Sequence, residues 1–233
     1  MSLKKISIFM FCLLSMQHVA LAQFVNKAAF FESKNYKVQK ESIIPGGLIL
    51  GGSLLVMTHS PIHSFNTNIS NQVQKSFPGF RVKVDDWLQY VPGGGALGLG
   101  FTGVSGKHAL GNRFVRYAIA TAIGTSTVHA LKKWTHVLRP DGTTYNSFPS
   151  GHTATAFTGA EMLHQEYGDV SVWYSVIGYS LASATGLLRM LNNRHSLGDV
   201  LGGAGIGMAS VKFSYWLTDH IKRKRKPAVL LTF

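Results

Sequence analysis

The chain alternates between apolar stretches and shorter polar ones, on the length scale of helices. Apolar stretches run over residues 6–16, 43–58, 91–104, 113–131, 151–165, 169–189 and 196–218. None sustains the period-two alternation of a half-buried strand and none repeats another, so the pattern predicts an all-α fold. The clearest helices are 113–131, 151–165, 169–189 and 196–218. A full membrane span needs about 20 apolar residues; 169–189 and 196–218 reach that length, and 113–131 nearly does. Stretch 91–104 is interrupted by Gly93, Gly94 and Gly95 and is the one expected not to span. Segment 23–41 reads as a polar surface segment. Segment 59–90, with Pro61 and the Asn66, Thr67, Asn68 run, reads as a loop or external segment.

Composition moves this picture toward a membrane. Charged residues make up 14% of the chain, against the usual quarter or so, and many of the 25 glycines fall inside apolar stretches, as in membrane helices. The expected architecture is a six-helix, membrane-embedded bundle. Lys4 and Lys5, an apolar stretch and Ala20-Leu21-Ala22 make residues 1–22 an export signal or an uncleaved N-terminal anchor. Residues 23–218 form the domain, and 219–233, with Lys222 to Lys226, a basic cytoplasmic tail. The net charge of +13 does not indicate nucleic acid, because seven basic residues sit at the two ends and no aromatic–basic interleaving appears. The single cysteine, Cys12, excludes an internal disulfide framework and a clustered-cysteine metal site.

Three short blocks at helix ends carry chemistry. The first is Lys132 followed by Arg139-Pro140; the second is Pro149-Ser150-Gly151-His152; the third is Arg189, His195 and Asp199. Residues four apart share a helix face, so Asp199 is placed to hold one ring nitrogen of His195 and leave the other to attack phosphorus. Ser150 is a favoured N-cap, which turns the N–H groups of Gly151 and His152 toward an anion. His152 is placed to protonate a leaving oxygen. Lys132, Arg139 and Arg189 supply positive charge for the three oxygens of a phosphoryl group in transfer.

In this order and spacing, the three blocks resemble the signature of the type-2 phosphatidic acid phosphatase (PAP2) superfamily, closely from Lys132 to Asp199 and more loosely along the glycine-rich helix that follows. The resemblance implies a PAP2/haloperoxidase-like helical core and a metal-independent, cofactor-free phosphatase working through a phosphohistidine. His195 would be the nucleophile, Asp199 its orienting partner and His152 the general acid. Lys132, Arg139, Ser150, Gly151 and Arg189 would bind phosphate. Leu188 departs from the family, which usually has Ser before the third-block Arg. Arg194 and His136 read as structural or rim residues.

An up-down bundle puts all three blocks on one side. The other side receives Lys107, Arg113, Arg116 and the basic tail, so the positive-inside rule makes it cytoplasmic and the blocks periplasmic. The expected substrate is a phosphorylated lipid (a lipid A phosphate, an isoprenoid diphosphate or phosphatidylglycerol phosphate) in a bacterial inner membrane, with no nucleic acid and no obligate protein partner. The main alternative is a soluble periplasmic acid phosphatase of broad specificity. A vanadate-dependent haloperoxidase and a non-enzymatic binder of anionic lipid are the remaining alternatives.

Overall fold

The computed structural model describes residues 34–57 and 62–225, and among these every regular element is helical. In chain order they are α1 (Lys34–Val56), α2 (His63–Ser76), α3 (Val84–Leu88), α4 (Val91–Gly98), a 3-10 turn (Leu99–Phe101), α5 (Leu110–Thr135), α6 (Gly151–Tyr167), α7 (Val172–Leu191) and α8 (Leu197–Arg225). The all-α expectation holds, and the four later helices lie where the apolar stretches put them. Two expectations change. Segment 59–90 is not a loop: it carries α2 and α3. Stretch 43–58 belongs, as far as Val56, to a helix that begins earlier, at Lys34. The leader expected at 1–22 lies outside the described residues, as does 226–233; residues 219–225 continue α8.

Local chemistry explains the boundaries. Ser150 caps α6, its hydroxyl accepting from the Thr153 N–H at 3.4 Å, and Ser171 caps α7 in the same way from Trp173. Before α8, Ser196 and Asp199 form a reciprocal pair: Asp199 Oδ2 accepts the Ser196 N–H at 2.7 Å, and Ser196 Oγ accepts the Asp199 N–H at 3.4 Å, the logic of a capping box. At the other ends, α5 stops at His136 and α7 is followed by Asn193, both left-handed (φ 46° and 58°), a conformation His and Asn tolerate better than most residues.

Helices α6 and α8 form the centre. The first packs against α7, α8, α4 and α5, and the second against α1, α6 and α5. Helix α6 is buried nearly all round. Helix α5 instead buries one stripe, Arg113, Arg116, Ala120, Gly124 and Val128, and one further step of four along it reaches Lys132. The glycines of α8 serve close approach: a Cβ at Gly198 would stand 2.9 Å from Gly52 O of α1, and one at Gly203 would stand 2.4 Å from Ser150 O of α6.

Among the described residues no helix is long and apolar enough to cross a membrane. The full spans expected at 169–189 and 196–218 fall short because the helices there are diluted: α7 carries Ser175, Tyr179, Ser180, Ser183, Thr185 and Arg189, and α8 carries Ser210, Lys212, Ser214, Asp219 and the basic residues of its last turns.

At the end of the bundle away from the three blocks lies a buried ionic cluster. Glu166, fully buried, pairs with His108 Nδ1 at 2.8 Å and accepts the His108 N–H at 2.9 Å and the Tyr215 hydroxyl. Arg113 donates to Tyr167 Oη and to His108 O, and Arg116 pairs with Asp219 over the Tyr215 ring. The cytoplasmic assignment counted Arg113 and Arg116 among the charges of that side; both are buried and paired within the protein.

Candidate active site

The C-terminal ends of α5 and α7 and the N-terminal ends of α6 and α8 meet at one end of the bundle and bring the three blocks together. His195 lies in the turn between α7 and α8, 2% exposed. The predicted helical face for His195 and Asp199 therefore does not exist: His195 precedes α8, and Asp199 sits in its first turn. The two still meet, with His195 Nδ1 3.7 Å from Asp199 Oδ2, within ion-pair range and beyond hydrogen-bond length. Neither Nδ1 nor Asp199 Oδ1 has a hydrogen-bond partner. Oδ2 of Asp199 accepts from Ser147 Oγ at 2.6 Å and from Ser196 N and Oγ.

Electrostatics follow from this burial. Burial pushes His195 down to about 4, with Lys132 and Arg189 acting in the same direction and Asp199 opposing them. The ring is neutral at pH 7, the form whose nitrogen lone pair can attack. Asp199 feels the same burial, which would raise it, but His195, Ser147 and the Ser196 N–H outweigh that and hold its carboxyl below the usual range.

Around the ring stand the cations Lys132, Arg139 and Arg189. Lys132 closes the buried stripe of α5 and donates to the carbonyls of Asn146 and Ser147. Burial, then Arg139 and Arg189, lower it to about 8, with Asp199 opposing. Arg139, in the loop after α5, is lowered by burial and then by Arg194 and Arg189. The Nε atoms of Arg139 and Arg189 are buried without a partner. Such a cluster is short of negative charge, which is the condition for binding an anion.

Block two lies at the start of α6. The first N–H groups of a helix have no intrahelical partner, and at Gly151 an added Cβ would meet only Val128 Cγ1, at 3.7 Å, so packing does not demand the glycine. Ser150 is fully buried: its hydroxyl is engaged by Thr153 and its N–H donates to Asp199 O at 2.9 Å. That commits its side chain to the helix start. His152 is half-buried, its Nε2 2.9 Å from Asp86 Oδ1; burial, then Arg189, lower it below the usual 6.5 against the opposing pull of Asp86 and Asp85.

Asp85 and Asp86 are the residues that sequence reasoning missed. Asp85, 1% exposed, accepts from Arg189 Nη1 at 2.6 Å and from Asn192 Nδ2 at 3.1 Å. Helices α2 and α3 reach the site through polar anchors: Asn192 pairs with the backbone of Val82, Gln74 donates to Met190 O, and Asn66 accepts the Gly198 N–H. One signal was present. With 10 acidic residues against 23 basic ones, adjacent aspartates in a polar segment are natural partners for a cationic site. The remaining two residues behave as read: Arg194 pairs with Asp141 at 2.9 Å at the rim, and His136 ends α5. Asp85, Asp86 and His152 are the group whose metal-type ligand atoms all lie within 4.8 Å among the described residues. Their atoms are engaged with Arg189, Asn192 and one another in an ion-pair network.

Known proteins resemble this chain in sequence and in fold. Over 145 residues, 62% of this chain, the sequence is 45% identical to lipid A 1-phosphatase of Porphyromonas gingivalis, and the match spans 33% of that protein's length. The crystal structure of Aquifex aeolicus LpxE aligns with a TM-score of 0.50 at 23% identity, covering 65% of this chain and 95% of that one, and shares the fold. Residues 113–223, which hold every block, match the model of the PAP2 superfamily.

Proposed function

We propose that this protein is a metal-independent phosphatase acting on a phosphorylated membrane lipid through a phosphohistidine. The observation that carries the reading is a buried, neutral His195 set among Lys132, Arg139 and Arg189, the two arginines each keeping a buried Nε without a partner. The phosphate oxygens would lie between these three side chains and the N–H groups of Gly151 and His152 at the α6 terminus. His195 Nε2 attacks phosphorus in line; as the P–N bond forms, the P–O bond to the lipid breaks and His152 gives its proton to the departing oxygen. Asp199 balances the charge that appears on the His195 ring. In the second half, His152 takes a proton from water, the water oxygen attacks phosphorus, the P–N bond breaks and inorganic phosphate leaves. The fixed cations do the electrostatic work that a metal does elsewhere.

Two observations support a lipid substrate. The P. gingivalis relative is a lipid A 1-phosphatase by name, which favours a lipid A phosphate over the isoprenoid and glycerol phosphates. Large aromatic side chains stand exposed at both ends of the bundle, Trp87 and Trp134 near the site and Phe114, Trp173 and Trp216 toward the other end, the distribution expected of residues at a membrane–water boundary. The proposed location is the bacterial inner membrane with the site toward the periplasm.

The test is phosphate release by purified protein from lipid A phosphates, other lipid phosphates and soluble monoesters, in chelator, beside His195→Ala. The reading expects release from lipids that survives chelation and disappears in the variant. Preference for soluble monoesters would replace the lipid assignment with a broad acid phosphatase. Loss of activity in chelator would remove the metal-free mechanism.

A further inference from the structure

The two histidines of the site are not equally supplied with partners. His195 has Asp199 behind it, as the block spacing foretold. His152 has a carboxylate that no block contains: Asp86, 66 residues earlier, meets its Nε2 at 2.9 Å. We propose that Asp86 is a positioning residue, completing a second His–Asp pair that turns His152 Nδ1 toward the leaving oxygen and keeps Nε2 protonated.

This inference rests on the phosphatase reading and assigns a residue to it. The neighbouring aspartates divide their work. Asp85 is buried and occupied by Arg189 and Asn192. Asp86 is half-exposed, 4.0 Å from the Arg189 guanidinium, and turns its Oδ1 to His152. Helix α3 is held in place by the Asn192–Val82 backbone pair, so the Asp86 carboxylate is presented from a fixed base. With Nε2 occupied, Nδ1 is the nitrogen left to carry the transferable proton. During transfer that proton passes from Nδ1 to the leaving oxygen as the P–O bond breaks; Asp86 keeps its charge and its bond to Nε2–H, and water later restores the Nδ1 proton. The charged groups facing His152 are Asp85 and Asp86 from α3 and Arg189 from α7. Asp86 is thus the carboxylate that directly offsets Arg189 at this ring. An exposed ion pair of this kind contributes little to stability, so its removal should be visible in chemistry before folding.

The experiment compares Asp86→Ala, His152→Ala and the double variant with the unmodified protein, on an alkyl phosphate and on p-nitrophenyl phosphate, whose leaving group needs no proton. General acid catalysis is worth about 10²–10⁴-fold, and loss of an orienting partner is expected to cost about 10–100-fold of that on the alkyl substrate. The expected result is such a loss on the alkyl phosphate, little on the aryl phosphate, and a double variant no worse than His152→Ala. Equal losses on both substrates, or additive losses in the double variant, would overturn the assignment. Titration of the His152 ring by NMR in the resting protein tests the pairing independently of turnover. Asp86→Asn should lower its pKa, and an unchanged value would dismiss the pair even if the phosphatase reading itself failed.

Discussion

The two ends of this bundle are built from the same materials and differ in how far they are finished. Away from the site, Glu166, Tyr215, Arg113 and Arg116 are buried and, with the half-buried His108, are joined by hydrogen bonds. At the site, Lys132, Arg139, Arg189, His195 and Asp199 are assembled as densely, yet four of the five buried side-chain atoms without a hydrogen-bond partner among the described residues belong here: Nε of Arg139 and of Arg189, His195 Nδ1 and Asp199 Oδ1. Leaving a buried polar group unpaired costs about 1–3 kcal/mol. A cluster that keeps several such atoms holds a place for something that is not protein. Burial and charge alone would have marked both ends; incomplete hydrogen bonding is concentrated at one, the other keeping a single such atom, Nε of Arg116.

That contrast can be broken by substitution. Arg189→Lys keeps the charge but loses the planar fork, and should lower kcat/KM on the lipid substrate by about 10²–10³-fold with the thermal midpoint nearly unchanged; an active variant would mean that Arg189 belongs to the structural class. Glu166→Gln should do the reverse, costing on the order of 3 kcal/mol of stability by leaving buried partners uncompensated, read as a lower melting temperature, while the folded protein keeps its activity. The pH profile sharpens the comparison without mutation. His195 must be neutral, so kcat/KM rises as pH climbs through about 4; His152 must be protonated, so kcat/KM falls again as pH climbs through a value below the usual 6.5. Lys132, at about 8, stays charged across that window. An acidic optimum is expected in initial-rate measurements, and one above neutrality would contradict the roles of the two histidines. Smallest of all, Ser147→Ala removes one donor of several from Asp199 Oδ2 and should slow turnover about fivefold, the kinetic equivalent of one ordinary hydrogen bond.

The later half of the chain was legible because its signals are local. Ser150 announces α6, the step of four along α5 carries Lys132 to the site, and apolar runs set α5 to α8 within a few residues. The earlier half was not. Helix α2 buries only Asn66 and Val73; its apolar positions, Ile69 and Val73 with Phe77 and Phe80 beyond them, pack on Leu187, Met190 and Leu191, but they are spread thinly through an Asn- and Ser-containing run that reads as polar. Helix α3 has five residues, too few for any periodicity. The partnerships of Asp85 with Arg189 and of Asp86 with His152 span 104 and 66 positions, and no spacing rule reaches that far. For His195 and Asp199 the spacing pointed to the right pair for the wrong local reason, since a capping turn and not a helical face brings them near each other.

The bond from the Ser150 N–H to the Asp199 carbonyl, 2.9 Å long, ties the first turn of α6 to the first turn of α8, and Gly203 lets the two backbones lie almost in contact behind it. In mechanical terms, His152 and His195 ride on one braced pair of helix starts. A substrate cannot be admitted, or phosphate let out, by drawing the two histidines apart. Whatever travel the cycle requires has to be taken up by parts outside that linkage, first of all the rim loop that carries Arg139.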